Sequence, residues 1–290
     1  MSWRTVVITN RVKLDCKMGS MVIRGEDTKR INLDEIAILL IENPAVSLTG
    51  CLLEALTERK VRVIFCDSKR SPMAELVPHH GSHDSTLKIR AQAAWPEYVK
   101  AEVWREIVCG KIRNQSLLLS QLGMLKEAGL LDSYIPQVEP RDSTNREGHA
   151  TKVYFNALFG MSFTRSASSP LNGALNYGYS ILLSAFNREI AANGYLTQLG
   201  IFHDNMFNHF NLASDLMEPF RILIDREVRN LMPETLEKEE KHALWRVLEQ
   251  NVYISRSKQT VLNAVKLYTR SVFEAMNSAD PSQICFFDMV

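Results

Sequence analysis

Nowhere in the 290 residues is there a run approaching eighteen uncharged apolar residues. That excludes a membrane-spanning helix, and no membrane partner is expected. Charge of one sign is also missing: 34 Lys and Arg against 33 Asp and Glu leave a formal net charge of +1. The bulk field therefore cannot gather nucleic acid as a strongly basic protein would, and any polyanion contact must be local or shared with a partner. Cysteine is sparse and unpatterned. Cys16, Cys51, Cys66, Cys109 and Cys285 are odd in number, scattered, and without a Cys-x-x-Cys spacing, which argues against a disulfide framework and against a structural zinc site. A reducing cytoplasm is the expected compartment. The opening Met1-Ser2-Trp3-Arg4 runs straight into an apolar strand-like stretch, without the long apolar segment and small-residue cleavage site of a secretory signal, so export is not expected. Internal repeats and low-complexity segments are absent.

What is present is a chain that is 46% hydrophobic and 23% charged, enough to bury one large core or two modest ones. The first eighty or so residues carry short β-rich runs at Thr5–Thr9, Val12–Leu14, Met21–Ile23 and Ile36–Ile41, separated by turn residues and read as a meander. Leu52, Leu53 and Leu56 at helical spacing predict a short helix over Leu48–Arg59, followed by strands at Val61–Cys66 and Ala74–Val77. The polar stretch His79-His80-Gly81-Ser82-His83-Asp84-Ser85 has no apolar period and marks the domain boundary; its three histidines read as a solvated linker rather than a metal site. From Leu87 the period becomes about 3.6, as in an amphipathic helix. Helix breaks are expected at Gly129, Pro136–Pro140, Ser166–Pro170, Asn193-Gly194 and near Pro233. Residues Ala279–Val290 lose periodicity and are expected to be a mobile tail or a docking peptide. The predicted class is α+β: a β-rich domain with one short helix over residues 1–85, joined to a larger all-α domain over residues 86–290.

Three places in the helical half put ionisable groups in apolar or small-residue surroundings: Glu147, His203, and Asp215 with Glu218. Asp215 and Glu218 are three apart, so on a helix both project from one side and can converge on a cation. One imidazole with two or three carboxylates makes a mixed N/O ligand set suited to Mg²⁺ or Mn²⁺, and such a set points to metal-assisted phosphodiester chemistry. Plainer readings stand beside it. Thr144-Asn145-Arg146-Glu147 matches the Thr-x-x-Glu capping box. Asp215 and Glu218 precede Pro219 and suit a helix's first turn and dipole, and His203 suits a satisfied core histidine. Phosphate-tracking candidates are Lys88, Arg90, Lys100, Arg105, Lys111 and Arg113, with Arg165, Arg188 and Arg221 closer to the acidic residues. Tyr154, Phe155, Tyr177 and Tyr179 are candidates to stack on unpaired bases, although aromatics at helical spacing more often fill a core.

The order of these segments is more specific than any one of them: Glu147 ahead of Tyr154-Phe155, then Pro170-Leu171-Asn172-Gly173-Ala174-Leu175-Asn176-Tyr177-Gly178-Tyr179, then Gly200-Ile201-Phe202-His203-Asp204-Asn205, then Asn211–Arg221. It closely resembles the CRISPR-associated endonuclease and integrase family, the first of the two universal spacer-acquisition proteins, over almost the entire chain. The start Ser2-Trp3-Arg4-Thr5-Val6-Val7-Ile8 looks like the type II-A branch that accompanies Cas9-type effectors. The resemblance implies an N-terminal dimerisation domain and a C-terminal domain with a divalent-metal site, Mg²⁺ or Mn²⁺, its ligands falling on Glu147, His203 and Glu218. Many members have aspartate where this chain has Glu218, and Asp215 is placed beside the cation as a second ligand or an orienting group. His203 is either ligand or proton donor, because a metal-bound imidazole must be neutral.

The implied partners are double-stranded DNA, as prespacer fragment and CRISPR repeat, a second copy of the chain, and a small ferredoxin-like adaptation protein flanked by two dimers. A ring-forming DNA-binding protein and the Cas9-type effector are further implied partners. The implied reaction is attack of a fragment's 3′-hydroxyl on a phosphodiester at the repeat edge. Two other classes compete with it. A non-catalytic dimeric DNA-binding scaffold would keep every capping reading, and a hydrolase of a small phosphorylated substrate would use the same ligands in a closed pocket.

Overall fold

The computed structural model describes residues 4–68, 70, 72–76 and 83–289. The opening Ser2-Trp3 and the histidines His79 and His80 lie outside them. The chain divides into two compact units, Met1–Ser85 with Ala191–Gly194, and Thr86–Ile190 with Tyr195–Val290.

The first unit contains β1 (Arg4–Ile8), β2 (Lys13–Lys17), β3 (Ser20–Arg24), β4 (Thr28–Asn32), β5 (Ile36–Ile41), β6 (Ser47–Leu48), α1 (Gly50–Glu58), β7 (Arg62–Cys66) and β8 (Pro72–Glu75). Two four-stranded sheets result, ordered β4-β3-β2-β6 and β1-β5-β7-β8. The expected meander exists only in β2-β3-β4, which pair antiparallel. In the other sheet β1, β5 and β7 are parallel, because the chain crosses over between them instead of turning back. The signal for this was Ile36-Ala37-Ile38-Leu39-Leu40-Ile41, apolar and buried at every position, as a strand covered on both faces must be. Strand β4 escaped notice because Thr-Lys-Arg-Ile-Asn is largely exposed and alternates only weakly. The last strand begins two residues earlier than predicted, and Val77 lies outside the described residues. Leu14, Met21, Leu33, Ile36, Leu39, Leu52, Leu56 and Val63 share one core, each such side chain contributing about 1.5–3 kcal/mol on burial.

The second unit contains α2 (Ser85–Ala93), α3 (Glu97–Gln121), α4 (Leu125–Tyr134), α5 (Arg146–Phe159), α6 (Pro170–Ala192), α7 (Asn211–Leu216), α8 (Arg221–Leu231), α9 (Lys238–Arg246), β9 (Asn251–Ile254), β10 (Ser257–Thr260), α10 (Val261–Ser278) and β11 (Asp288–Met289). Helix α3 is its axle, packing on α4, α5, α8 and α10. It buries Val103, Trp104, Ile107, Val108, Ile112, Leu118 and Leu119, and in their midst Lys111, Asn114, Gln115 and Ser116. Polar groups inside a core helix must find partners there; two of them do so in Asn114 Nδ2 to the Pro219 carbonyl, 2.9 Å, and Ser116 Oγ to the Ala128 carbonyl, 3.0 Å.

Three expectations need correction. The break placed at Gly129 falls inside α4; α3 stops earlier, at Gln121, just before Gly123 adopts a φ of +78°. A glycine within a helix is tolerated at about 1 kcal/mol, whereas the left-handed residue after a helix end strongly favours one. The second unit is mostly helical but not wholly so, since β10-β9-β11 form a small sheet from strands too short to show a period. The C-terminal residues are neither loose nor free to dock elsewhere. Ile284, Phe287 and Met289 are buried and β11 pairs with β9. The Phe287 ring lies 4.4 Å from that of Phe220, two residues beyond Glu218.

Candidate active site

Glu147 sits in the first turn of α5, and its capping-box reading fails. Asn145, in a left-handed conformation, caps the helix through the Gly148 amide, while the Asp142 carboxylate accepts from the amides of Arg146 and Glu147 at 2.8 and 3.0 Å. Thr144 donates to the Gln137 carbonyl instead. Asp142, which sequence reasoning passed over, thus satisfies the helix start and releases the Glu147 carboxylate for another partner.

That partner is Lys111. Its ammonium lies 2.6 Å from Glu147 Oε1 and 2.6 Å from Glu218 Oε2, so the two carboxylate oxygens are at most twice that distance apart despite their separation in sequence. Glu218 opens a short turn between α7 and α8, with Pro219 at the position whose missing amide costs nothing. Arg221 reaches back to its other oxygen at 2.9 Å. Burial alone would push the Glu218 carboxyl up, but the Arg221 and Lys111 charges and the Lys111 hydrogen bond hold it at about 2. Burial likewise works against a charged Lys111, and the Glu218 and Glu147 charges outweigh it, so the amine stays an ammonium.

His203 comes from the irregular segment between α6 and α7, and Asp215 is why that segment has one shape. The wholly buried Asp215 carboxylate accepts from the backbone amides of Ile201, Phe202 and His203 at 2.6, 3.0 and 3.0 Å, and meets His203 Nδ1 at 2.5 Å. Gly200 is required beside it, because a Cβ there would collide with the His203 carbonyl and approach Asp215 Oδ2 to 2.8 Å. The Phe202 ring stacks on Trp104 of α3 at 4.4 Å and 2°, and the imidazole stands edge-on to Trp104. These four bonds are those of a group that positions the histidine segment. With Nδ1 committed, Nε2 is the nitrogen left to meet a ligand, the arrangement usual behind metal-binding histidines. The Asp215 hydrogen bond raises the His203 pKa against the effect of burial, and the fields of Glu218 and Glu147 add to it. The imidazole therefore shares one electrostatic neighbourhood with both glutamates.

Among the described residues no three His, Cys, Asp or Glu side chains are gathered tightly enough to hold an ion as they stand. Lys111 occupies the point where the carboxylates meet. The donor set nonetheless fits a divalent cation: two carboxylates drawn to one positive charge, and an imidazole whose second nitrogen is already tied down.

A cavity of about 190 Å³ adjoins this centre, lined among others by Lys111, Gln115, Phe155, Arg165, Tyr179 and Arg221. Arg165 binds Asn172 and Asn176 at 2.6 and 2.7 Å, and its guanidinium and that of Arg221 lie over the Tyr179 ring at 5.4 and 4.6 Å. Behind it, the buried Asp225 accepts from Tyr154 at 3.0 Å and from Tyr179. Tyr154 is therefore core and cannot stack on a base; its helical spacing meant what such spacing usually means. Tyr177 and Tyr179 are also buried, and Phe155 alone of the four is half-exposed. Among the basic candidates, Lys111, Arg165 and Arg221 line the cavity. Lys88, Arg90 and Arg188 do not: Lys88 lies over Tyr195, Arg90 is exposed, and Arg188 pairs with Glu189. Lys100 and Arg105 are likewise engaged by glutamates of their own helix, and Arg113 is exposed.

A helical unit that concentrates the buried polar groups of its central helix, two glutamates, two cations and an oriented imidazole in one place has the equipment of a DNA endonuclease and integrase. Known proteins agree. The family model "CRISPR associated protein Cas1" matches residues 5–244. The CRISPR-associated endonuclease Cas1 of Neisseria meningitidis is 32% identical over 98% of this chain and 95% of its own. In fold the chain resembles a CAS1 protein from Thermotoga maritima (TM-score 0.76, 18% identity, 94% of this chain and 97% of that one). A casposase bound to integration product is similar (0.77, 17%, 96% and 91%), as is a Cas6-RT-Cas1–Cas2 complex (0.74, 19%, 99% and 36%). The chain belongs to the Cas1 family of CRISPR-associated proteins, the endonucleases and integrases of CRISPR adaptation.

Proposed function

We propose that Glu147, Glu218 and His203 Nε2 hold one divalent cation, Mg²⁺ or Mn²⁺, and that the chain uses it to join a captured DNA fragment to a CRISPR repeat. The observation that carries this reading is the convergence of Glu147 and Glu218 on a single positive charge, with His203 in the same field. It runs against the scaffold alternative, which needs Glu147 as a cap. When bound, the cation would draw electron density from the scissile phosphodiester. Asp215 holds the imidazole by Nδ1 and leaves Nε2 as the nitrogen that would take the cation. Arg221 keeps Glu218 ionised and aimed, and Arg165 and Arg221 offer guanidinium edges to phosphate oxygens. Attack by a fragment's 3′-hydroxyl gives strand transfer, and attack by water gives cleavage; both need the nucleophile and leaving oxygen in line. His203 bound through Nε2 stays neutral and serves as ligand rather than acid.

By the same reading the first unit, residues 1–85, carries homodimer contacts and residues 86–290 carry the chemistry. A small ferredoxin-like partner bridges two dimers, and a ring-forming DNA-binding protein and the Cas9-type effector join that assembly. The near-zero net charge accords with a DNA surface shared among subunits, so the isolated chain should bind duplex DNA weakly and more tightly once the small partner is added. The decisive test is strand transfer of a short DNA with free 3′ ends into a repeat-bearing plasmid, with Mn²⁺ or with EDTA. His203→Ala and Glu218→Ala should each abolish product; undiminished product from both would reject the assignment.

A further inference from the structure

Lys111 is a charged group placed where the proposed ligands meet, on the buried face of a helix. Its side chain is 11% exposed and its ammonium is 2.6 Å from each of the two glutamates. Glu147 and Glu218 are negative, Lys111 and Arg221 positive, so the four together carry no net charge. As it stands, the centre has little field to draw either a divalent cation or a phosphodiester.

We propose that Lys111 is a resident counter-cation: it holds the two carboxylates together before a divalent ion arrives and must leave their midpoint when one does, which makes metal and DNA binding mutually dependent. The proposal rests on the reading of Glu147 and Glu218 as ligands. Two observations say where the ammonium goes. Gln115 is four residues further along α3, on the same face, and its buried Oε1 has no hydrogen-bond partner among the described residues. Both side chains line the cavity of about 190 Å³ beside the carboxylates. A rotamer change of Lys111 alone exchanges two carboxylate oxygens for the Gln115 acceptor and turns the ammonium toward Arg165 and Arg221. Three like charges crowd that cavity unless an anion enters. A divalent ion between the carboxylates brings the centre to a net charge of +2, and a phosphodiester anion relieves it. By linkage, DNA must tighten the metal by the factor by which the metal tightens DNA.

The test is titration of the full chain with Mn²⁺, free ion being followed by its paramagnetic resonance, with and without a short duplex. Lys111→Met keeps the aliphatic stem and removes the charge. Without DNA it should bind Mn²⁺ about tenfold more tightly than the wild type, and its thermal midpoint, lowered in EDTA by the unpaired carboxylates, should recover more on adding Mn²⁺. Wild-type affinity for Mn²⁺ should rise about tenfold with DNA, and that gain should shrink in the variant. Lys111→Gln, which retains a polar head, should show the same tightening if Lys111→Met folds poorly. Mn²⁺ affinity in either folded variant equal to or below the wild type overturns the proposal. Glu218→Gln separates the two levels: if it leaves Mn²⁺ affinity unchanged, the ligand reading itself fails; if it weakens Mn²⁺ while the Lys111 variants change nothing, only the counter-cation fails.

Discussion

Replacing Asp215 by asparagine changes one atom and should damage the molecule far more than a surface Asp→Asn would. The native carboxylate offers two acceptor oxygens to four donors, the amides of Ile201, Phe202 and His203 and His203 Nδ1. Each oxygen serves two of them. Asparagine keeps one carbonyl oxygen and turns the other into an NH₂, a donor pointing at donors. With the amide nitrogen in place of Oδ2 the Ile201 and Phe202 amides both lose their acceptor; with it in place of Oδ1 the His203 amide does, and the imidazole keeps a bond only by switching tautomer to accept at Nδ1. At about 1.5–3 kcal/mol for each bond to a charged acceptor, with one or two bonds lost, the loss is about 3 kcal/mol. For a domain of this size that corresponds to a fall in thermal midpoint of roughly 10 °C. Calorimetry on the metal-free protein measures it directly. Mn²⁺ binding should weaken only modestly at temperatures where the variant is folded, since Glu147 and Glu218 remain. A midpoint within about 2 °C of the wild type, together with loss of Mn²⁺ binding, would refute the orienting role and make Asp215 a ligand itself.

Glu218 is held at about 2, below its ordinary 4.5, so it contributes stability above pH 4.5 that disappears as pH falls through 2; Glu218→Gln should lose about 3 kcal/mol at neutral pH and show a flatter acid unfolding curve. Asp225 has the opposite sign. Burial, working against the Tyr179 and Tyr154 hydrogen bonds, raises it to about 6, so its stabilising effect is complete below pH 4 and is lost as pH rises through 6. Asp225→Asn should therefore gain about 3 kcal/mol relative to the wild type between pH 4 and pH 8, and a difference that stays constant over that range in urea unfolding would contradict the assignment. Phe287→Ala should cost about 3–5 kcal/mol and reduce strand transfer through the neighbouring Phe220, whereas a dispensable tail would melt unchanged.

Much of this was legible from local pattern. Ile36–Ile41 announced a buried strand, the change of period after Leu87 announced the helical unit, and the order of Glu147, His203 and Glu218 within their flanking residues carried the family. What misled was equally local. Thr144 and Glu147 have capping-box spacing, but the cap is made by Asn145 and by Asp142 from the preceding turn. Tyr154 looked available to a base and is walled in by its hydroxyl's bond to Asp225, seventy-one residues away. Lys111 stood undistinguished among six basic residues of the first long helices as a phosphate-tracking candidate, although its polar neighbours on α3 break the apolar period there, and that break was itself the signal of a polar centre inside the core.

Sequence by itself therefore determined the strand-rich and helix-rich halves, the strongly periodic or wholly apolar segments within them, and which residue types are available for phosphodiester chemistry, since these follow from side-chain periodicity and from the identity of titratable groups. Tertiary structure alone decided which carboxylate caps a helix, which orients a histidine and which two share a lysine. The cap spans only four and five positions but depends on the left-handed turn at Asn145; the other two roles depend on contacts 12 to 107 positions apart, and no short-range pattern encodes the point in space where such side chains meet.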